Sequence, residues 1–158
     1  MPAEDYLSEV SSGDLLATSP CPNSILVYVG HDLIGDGLLK LAFLRSLRQT
    51  WPTARVTWLA GTGRSAFAGP LAPMAGGLID EVIENAGVGI RVSELFGQKP
   101  LAGRRFDLVI DTQLRLLTTM ILRRIDCEVF VSGAGNFLFS DCKPIKRFSK
   151  SMSMHDQL

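Results

Sequence analysis

Short apolar runs alternate with amphipathic stretches through the middle of the chain. Residues 25–29 (ILVYV) form a continuous apolar run, which is typical of a strand buried on both faces. Similar runs predict four further strands, at residues 55–60, 78–83, 106–110 and 128–131. Because helical patterns separate several of these runs, the sequence predicts βαβ units. The expected fold is α/β, a Rossmann-like three-layer domain with a mostly parallel sheet.

The two longest helical patterns each predict a buried face. Residues 38–50 form the first, with a face at i, i+4 and i+8 made by Leu39, Phe43 and Leu47. Trp51-Pro52 is expected to end that helix. Residues 113–125 form the second, with Thr112 as its expected N-cap and a face made by Leu114, Leu117, Ile121 and Ile125. Residues 65–74 predict a short helix broken by prolines. Residues 84–103 are ambiguous, with one helical turn or more at residues 92–96 as an option.

The two ends of the chain differ from this regular middle. Residues 1–23 lack periodicity and end in a proline-containing stretch, so we expect a flexible leader. Residues 24–142 are predicted to be the Rossmann-like domain. Residues 143–158 are polar and basic, with charges at Lys143, Lys146, Arg147 and Lys150. A solvated linker is the expected role of this tail, and contact with anionic lipid is the alternative.

Composition narrows the classes of function. A chain of 158 residues has the size of one domain, and 46% hydrophobic residues exclude wholesale disorder. The formal net charge of zero argues against a nucleic-acid partner, which requires a basic field. A mean hydropathy of +0.20 is high for a small soluble domain, and it points to a face covered by a partner, another domain or a membrane.

The numbers of cysteines and histidines limit the redox environment and the metal chemistry that can be expected. The three scattered cysteines form no CxxC pair, which fits a reducing cytoplasm. With two histidines in the chain, we expect no metal site. No apolar run reaches the roughly 20 residues of a membrane-spanning helix.

The first candidate site is the glycine-bounded turn at residues 30–37. It matches neither GxGxxG nor a Walker A loop, because Asp36-Gly37 stands where a Walker A loop has Lys-Ser/Thr. What remains is a carboxylate, Asp36, between Gly35 and Gly37 at the start of a helix. Asp36 is either a helix N-cap or a general base that takes a proton from a sugar or alcohol hydroxyl. The glycines would let a ligand approach the backbone.

Other polar residues near strand ends are weaker candidates. His31 and Asp32 belong to the same turn, and Arg64 follows the second strand, where it could meet a phosphate. Asp111, Gln113 and Arg115 follow the strand at residues 106–110 and could bind a polyhydroxylated or phosphorylated ligand. For Asp111 and Arg115 the alternatives are a loop cap and a solvated helix charge.

Two stretches of this sequence resemble glycosyltransferase family 9, the heptosyltransferases of lipopolysaccharide synthesis. The first is a strand, a loop with Gly35-Asp36, a leucine-rich helix, a turn at Pro52-Thr53-Ala54 and a strand with Trp58-Leu59. The second stretch is RFDLVIDTQLRLLTTMILRRI, residues 105–125. The resemblance runs from about residue 25 to residue 131. The sequence departs from the family pattern at three places: Ala42, Leu114 and the pair His31-Asp32.

The resemblance implies half of a GT-B enzyme, in which two Rossmann-like domains enclose the active site. This chain would be the N-terminal, acceptor-binding half, and a C-terminal domain would bind the nucleotide sugar. Asp36 would be the general base of an inverting, metal-independent transfer to a lipopolysaccharide-type or other glycan acceptor, with no cofactor. The resemblance further implies a bacterial, cytoplasmic protein with peripheral contact to the inner face of the cytoplasmic membrane.

Two other classes of function stay open on the sequence alone. One is a non-catalytic Rossmann-like binding module or truncated remnant. The other is a signalling receiver domain, in which Asp32, Asp111, Ser132 and Lys143-Pro144 would imitate the phosphorylation site. The spacing of these receiver-like residues is poor.

Overall fold

The structure, a computed structural model, describes residues 21–142. It contains a five-stranded sheet in which all neighbouring strands are parallel. The strands are β1 (Ser24–His31), β2 (Arg55–Thr62), β3 (Glu81–Ile83), β4 (Arg105–Asp111) and β5 (Asp126–Ser132). The helices are α1 (Ile34–Thr50), α2 (Ala72–Ala75) and α3 (Leu116–Leu122), and two 3₁₀ turns span Ala66–Ala68 and Val92–Leu95. The predicted α/β, Rossmann-like fold class is confirmed.

The order of the strands locates the natural binding edge of the sheet. The order is β3-β2-β1-β4-β5, so the chain builds outward from β1 to β3 and then crosses to the other side of β1. α1 packs on one face of the sheet and α3 packs on the other. The point between β1 and β4 is therefore a topological switch point, where open α/β sheets bind ligands beyond the carboxyl ends of their strands.

The same strand order overturns the receiver-domain interpretation. Receiver domains have the order 2-1-3-4-5, in which the second strand lies at an edge. Here β2 lies between β1 and β3. Asp111 and Ser132 are in contact, at 2.9 Å, but they lie in a sheet whose strand order is not that of a receiver domain.

Two apolar layers sandwich the central strand. Residues 25–29 of β1 are fully buried, with Ile25, Val27 and Val29 on the α1 side and Leu26 and Tyr28 on the α3 side. This confirms the prediction of a strand buried on both faces. On the α1 side, the rings of Trp58 and Phe67 meet edge to face with centroids 5.0 Å apart.

The predicted buried face of α1 is confirmed at Leu47 and partly at Phe43, which packs against the core, but it is wrong at Leu39. Leu39 is 80% exposed, and the side that faces the sheet consists of Gly37, Leu41, Leu44 and Leu47. The hydrophobic pattern missed this side because it begins with a glycine. α1 also begins at Ile34 rather than Leu38, so residues 35–37 form helix rather than a turn.

The second predicted helix is too long. α3 spans seven residues, and Leu114, predicted on its buried face, is 78% exposed outside it. Thr112 is not the N-cap, because that position belongs to Arg115. The Thr112 backbone N–H and hydroxyl both donate to the Tyr28 carbonyl oxygen, at 3.2 and 2.9 Å. These bonds continue the pairing of β4 with β1 and delay the start of the helix.

The remaining segments follow the predictions more loosely. Residues 65–74 contain the first 3₁₀ turn and most of α2, and the strand predicted at residues 78–83 is shortened to β3. Within the ambiguous residues 84–103, Val92–Leu95 form the second 3₁₀ turn. The first 20 residues of the predicted leader and all of the basic tail lie outside the described residues. Within residues 21–142, no helix is long and apolar enough to cross a bilayer.

Candidate functional site

The candidate site lies at the carboxyl edge of the sheet, where the ends of β1, β2 and β4 meet. His31 ends β1 and is in register with Thr62 of β2, while Asp111 ends β4 and is in register with Tyr28 of β1. Arg64 lies just past β2, and α1 begins immediately after β1. The candidate site residues came from three separate parts of the sequence, and the fold brings them to the same edge of the sheet.

Asp36 occupies the first turn of α1, and half of its side chain (53%) is exposed. Its Oδ2 atom accepts a hydrogen bond from Lys40 Nζ at 3.2 Å, whereas Oδ1 has no partner within residues 21–142. The N-cap is Leu33, and Asp36 accepts no backbone hydrogen bond from the described residues. The N-cap interpretation of Asp36 is therefore wrong. The carboxylate faces solvent at the positive end of the helix dipole.

The two glycines beside Asp36 have different surroundings. Gly35 is exposed, and a Cβ atom built on it would meet no atom within 4 Å. Gly37 is buried, and a Cβ there would press against Leu71 and lie 3.5 Å from the Ala66 Cβ. Gly37 thus lets α1 pack closely on the segment after β2. Gly35 leaves the solvent side of the Asp36 turn open.

Asp32 is 4% exposed and anchors the connection between β1 and α1. Its Oδ2 atom accepts hydrogen bonds from the Trp58 indole N–H, at 3.0 Å, and from the Ser65 hydroxyl. Ser65 also caps the first 3₁₀ turn by accepting from the Phe67 N–H at 3.2 Å. Asp32 Oδ1 is buried and has no partner among the described residues. The sequence suggested Asp32 as a minor candidate but gave no indication of Trp58 or Ser65.

Asp111 is 5% exposed and ties three elements together. Oδ1 accepts from the Gln113 backbone N–H at 2.8 Å. Oδ2 accepts from the hydroxyls of Thr119 in α3, at 2.6 Å, and Ser132 in β5, at 2.9 Å. Burial raises the pKa of this carboxyl group, although the three hydrogen bonds act in the opposite direction. The sequence suggested Ser132 only as part of the receiver-like set, and Thr119 was missed. The signal that could have found Thr119 is a hydroxyl inside an apolar helix.

Gln113 and His31 each lie against a glycine of this edge. A Cβ built on Gly30 would be 3.1 Å from Gln113 Cδ and Oε1, and one built on Gly63 would be 3.1 Å from His31 Cε1. Within residues 21–142, neither the Gln113 amide nor the His31 ring makes a hydrogen bond. Both are polar groups beside the switch point whose bonding capacity no described residue uses.

Arg64 and Arg115 complete the predicted set. Both are exposed, and neither forms an ion pair with any of residues 21–142. Arg115 precedes α3, so it lies on the same edge as Arg64. Guanidinium groups that no described residue pairs can receive an anionic or hydroxylated ligand.

Exposed apolar side chains surround the same edge. Leu33 and Ile34 lie at the start of α1, Leu114 and Leu116 at the start of α3, and Leu138 in the segment after β5. We call these five residues the apolar rim. Large exposed apolar groups in one region indicate an interaction surface rather than a solvated one.

A cavity of about 460 Å³ lies at the opposite edge of the sheet, among the first residues of β4 and β5. Its charged side chains are already paired: Arg105 with Glu128, Arg104 with Glu81 and Asp126 with Lys99. These pairs leave no free charge to recognise a ligand. Among residues 21–142, no group of three or more His, Cys, Asp or Glu side chains is placed to hold a metal ion.

No protein-family model matches the chain, and no curated protein matches it. Among solved structures, the chain is similar to one described as a glycosyl transferase family 9 from Veillonella parvula DSM 2008. The two share 21% sequence identity, with a TM-score of 0.50. The match covers 68% of this chain and 31% of that chain, so the chain spans less than a third of the similar protein. The resemblance inferred from sequence is therefore confirmed for the fold: the chain has the Rossmann-like fold of part of a family 9 glycosyltransferase structure.

Proposed function

We propose that this chain is the acceptor-binding half of an inverting glycosyltransferase of the family 9 type. The observation that carries the proposal is the position of Asp36. Its carboxylate is solvent-exposed in the first turn of α1, beside the switch point between β1 and β4, and its Oδ1 atom has no partner within the described residues. The fold shared with part of a family 9 structure supports the same conclusion.

In the proposed reaction, Asp36 acts as the general base. Its carboxylate takes the proton of an acceptor hydroxyl while that oxygen forms a bond to the anomeric carbon of a nucleotide sugar. The bond from the anomeric carbon to the diphosphate oxygen breaks, and the nucleoside diphosphate leaves with the electron pair. Attack opposite the leaving group inverts the anomeric configuration. The open side of the turn at Gly35 gives the acceptor room to reach Asp36.

The other polar residues of the edge have proposed roles in acceptor binding. His31, Arg64, Gln113 and Arg115 have bonding capacity that no described residue uses. Asp111 contributes as a positioning residue, because both of its oxygens are engaged and one of them holds the Gln113 backbone.

The donor and the second domain belong to the same proposal. A C-terminal domain would bind the nucleotide sugar, and the apolar rim offers a surface that such a domain could cover. The transfer is proposed to need no metal ion. The acceptor is proposed to be a lipopolysaccharide-type or other glycan, and the site of action the cytoplasm, at the inner face of the cytoplasmic membrane.

The test combines the 158-residue chain with a family 9 C-terminal domain and measures nucleoside diphosphate release from ADP-, GDP- and UDP-linked sugars. We expect turnover with at least one donor and acceptor, and an Asp36→Asn variant should lower it about 10²- to 10⁴-fold. Asp126→Asn is the matched control, since Asp126 also pairs with a lysine and is similarly exposed at the opposite edge.

Two outcomes would contradict the proposal. Near-normal turnover of Asp36→Asn would remove the base assignment. Saturable sugar binding without turnover by the combined protein would favour a non-catalytic binding module instead.

A further inference from the structure

The side chain of Gln113 is held in an unusual position at the switch point. Its carbons and amide oxygen lie over Gly30, the seventh residue of β1, so closely that a Cβ there would be 3.1 Å from Cδ and Oε1. Any side chain at Gly30 would require the Gln113 amide to shift by a few tenths of an ångström. The absence of a side chain at Gly30 therefore creates the space that the Gln113 amide occupies.

The backbone around this amide is fixed from both strands. Asp111 Oδ1 accepts from the Gln113 N–H at 2.8 Å, and the neighbouring Thr112 donates twice to the Tyr28 carbonyl. On the β1 side, the Gly30 carbonyl accepts from the Thr62 hydroxyl at 3.1 Å. These three groups, the Gln113 N–H, the Thr112 N–H and the Gly30 carbonyl, are thus bonded, while the half-buried Gln113 amide keeps two donors and an acceptor unused within residues 21–142.

We infer that Gly30 and Gln113 form a subsite that recognises a pair of neighbouring hydroxyl groups on a neutral sugar ring. A primary amide donates through nitrogen and accepts through oxygen in one plane, which matches two adjacent hydroxyls that each donate and accept. A site built to bond a hydroxyl discriminates strongly against an analogue that lacks it. The inference rests on the proposed function and deepens it, because it names the part of the acceptor that this edge of the sheet binds.

The chemistry of the subsite favours a hydroxyl pair over a charged group. The amide carries no charge, and the buried Asp111 beneath its backbone disfavours an anion at this point. Arg64 and Arg115 are available for anionic groups elsewhere on the edge. Gly30 and Gln113 are therefore assigned to the sugar ring itself.

The test observes the amide directly. The full chain is labelled with ¹⁵N, and the side-chain NH₂ signals are followed while methyl glycosides of D-glucose, D-galactose and D-mannose are added separately. We expect at least one sugar to shift the Gln113 NH₂ signals in a saturable way. Its 2-deoxy or 4-deoxy analogue, whichever removes one of the recognised hydroxyls, should shift them less.

Three variants complete the experiment. Gln113→Ala, followed through its backbone amide signals, should weaken Kd about five- to 150-fold, the size expected for two neutral hydrogen bonds. Gly30→Ala should also weaken it, by a smaller factor, because the added methyl group crowds the retained amide and shifts it by a few tenths of an ångström. Gln98→Ala, a change at an exposed glutamine outside the site, should bind as the unaltered chain does.

Two results would overturn the subsite. One is that none of the three sugars shifts the Gln113 signals, and the other is that a sugar binds Gln113→Ala as tightly as the unaltered chain. Neither result decides the transferase proposal, which stands or fails on nucleoside diphosphate release and on Asp36→Asn.

Discussion

Gly37 in the first turn of α1 lies so close to Leu71 that an alanine Cβ at Gly37 would be 2.6 Å from Leu71 Cδ1. Leu71 is buried, so it has little room to withdraw. Gly35 is also in the first turn, and a Cβ there meets nothing within 4 Å. Both glycine-to-alanine changes gain similar helix propensity. Gly37→Ala should therefore be less stable than Gly35→Ala by about 1–3 kcal/mol, the usual cost of overpacking. Urea unfolding of the two variants measures this difference, and equal stabilities would contradict the packing described for Gly37.

Asp111→Asn should destabilise the fold far more than Asp36→Asn. The buried Asp111 carboxylate accepts three hydrogen bonds, and an amide nitrogen in place of Oδ2 would face two hydroxyl donors. We expect a loss of about 1–3 kcal/mol in the free energy of unfolding. Asp36 makes one exposed ion pair with Lys40, so its change should cost no more than about 0.5 kcal/mol. The same pair of variants thus separates a carboxylate that holds the fold together from one that does not, and chemical denaturation of both checks this.

Tyr28→Phe should loosen the segment that follows β3. The Tyr28 hydroxyl is buried and donates to the Val88 carbonyl oxygen at 2.8 Å, and Gly61 and Gly89 pack closely around it. Removing the hydroxyl leaves that carbonyl unsatisfied, at a cost of about 1–3 kcal/mol. Amide hydrogen exchange should become faster around residues 86–91 than in α1. If residues 86–91 exchange at the same rate in the variant as in the unaltered protein, the hydroxyl does not hold this segment.

Glu81 should make stability depend on pH in the acid range. Hydrogen bonds from Arg104 lower the pKa of this carboxyl group from 4.5 to about 2, despite partial burial. A group whose pKa is lower in the folded state stabilises the fold above its unfolded pKa, and that contribution is lost as the pH falls from 4.5 towards 2. Because the pair is partly exposed, we expect about 1–2 kcal/mol after solvent screening.

The measurement for Glu81 is urea unfolding at several pH values, with Glu81→Gln as the comparison. The stability difference between the two proteins should be greatest at neutral pH and should shrink as acid is added. A difference that does not change with pH would contradict this role of the Arg104 pair.

The strands could be predicted well from the sequence because parallel strands that are buried on both faces consist of continuous apolar runs. Residues 25–29 carry this signal without interruption, and the strand includes them all. The faces of the helices were harder to predict. The buried face of α1 begins at Gly37, which has no apolar side chain to contribute to a periodic pattern, so Leu39 was assigned to the core in its place.

The site was partly predictable for a related reason. Residues at the carboxyl ends of strands are found from the strand pattern alone, and this located His31, Asp36 and Asp111 at one edge. Their partners depend on which strands become neighbours. The Gln113 amide over Gly30, and Ser132 beside Asp111, follow from the positions of β1 and β5 next to β4, and no local pattern encodes either contact.

The central position of β1 has a consequence for synthesis of the chain. β2 follows β1 after a single helix, but Asp107 of β4, whose carboxylate accepts from the Ser24 N–H at 3.0 Å, lies 83 residues away along the chain. While the ribosome makes the intervening residues, one edge of the most apolar strand has no neighbour. An unpaired apolar edge can pair with another chain. Nascent chains stopped between β2 and β4 should therefore aggregate or be held by chaperones, and chains released after β5 should fold freely.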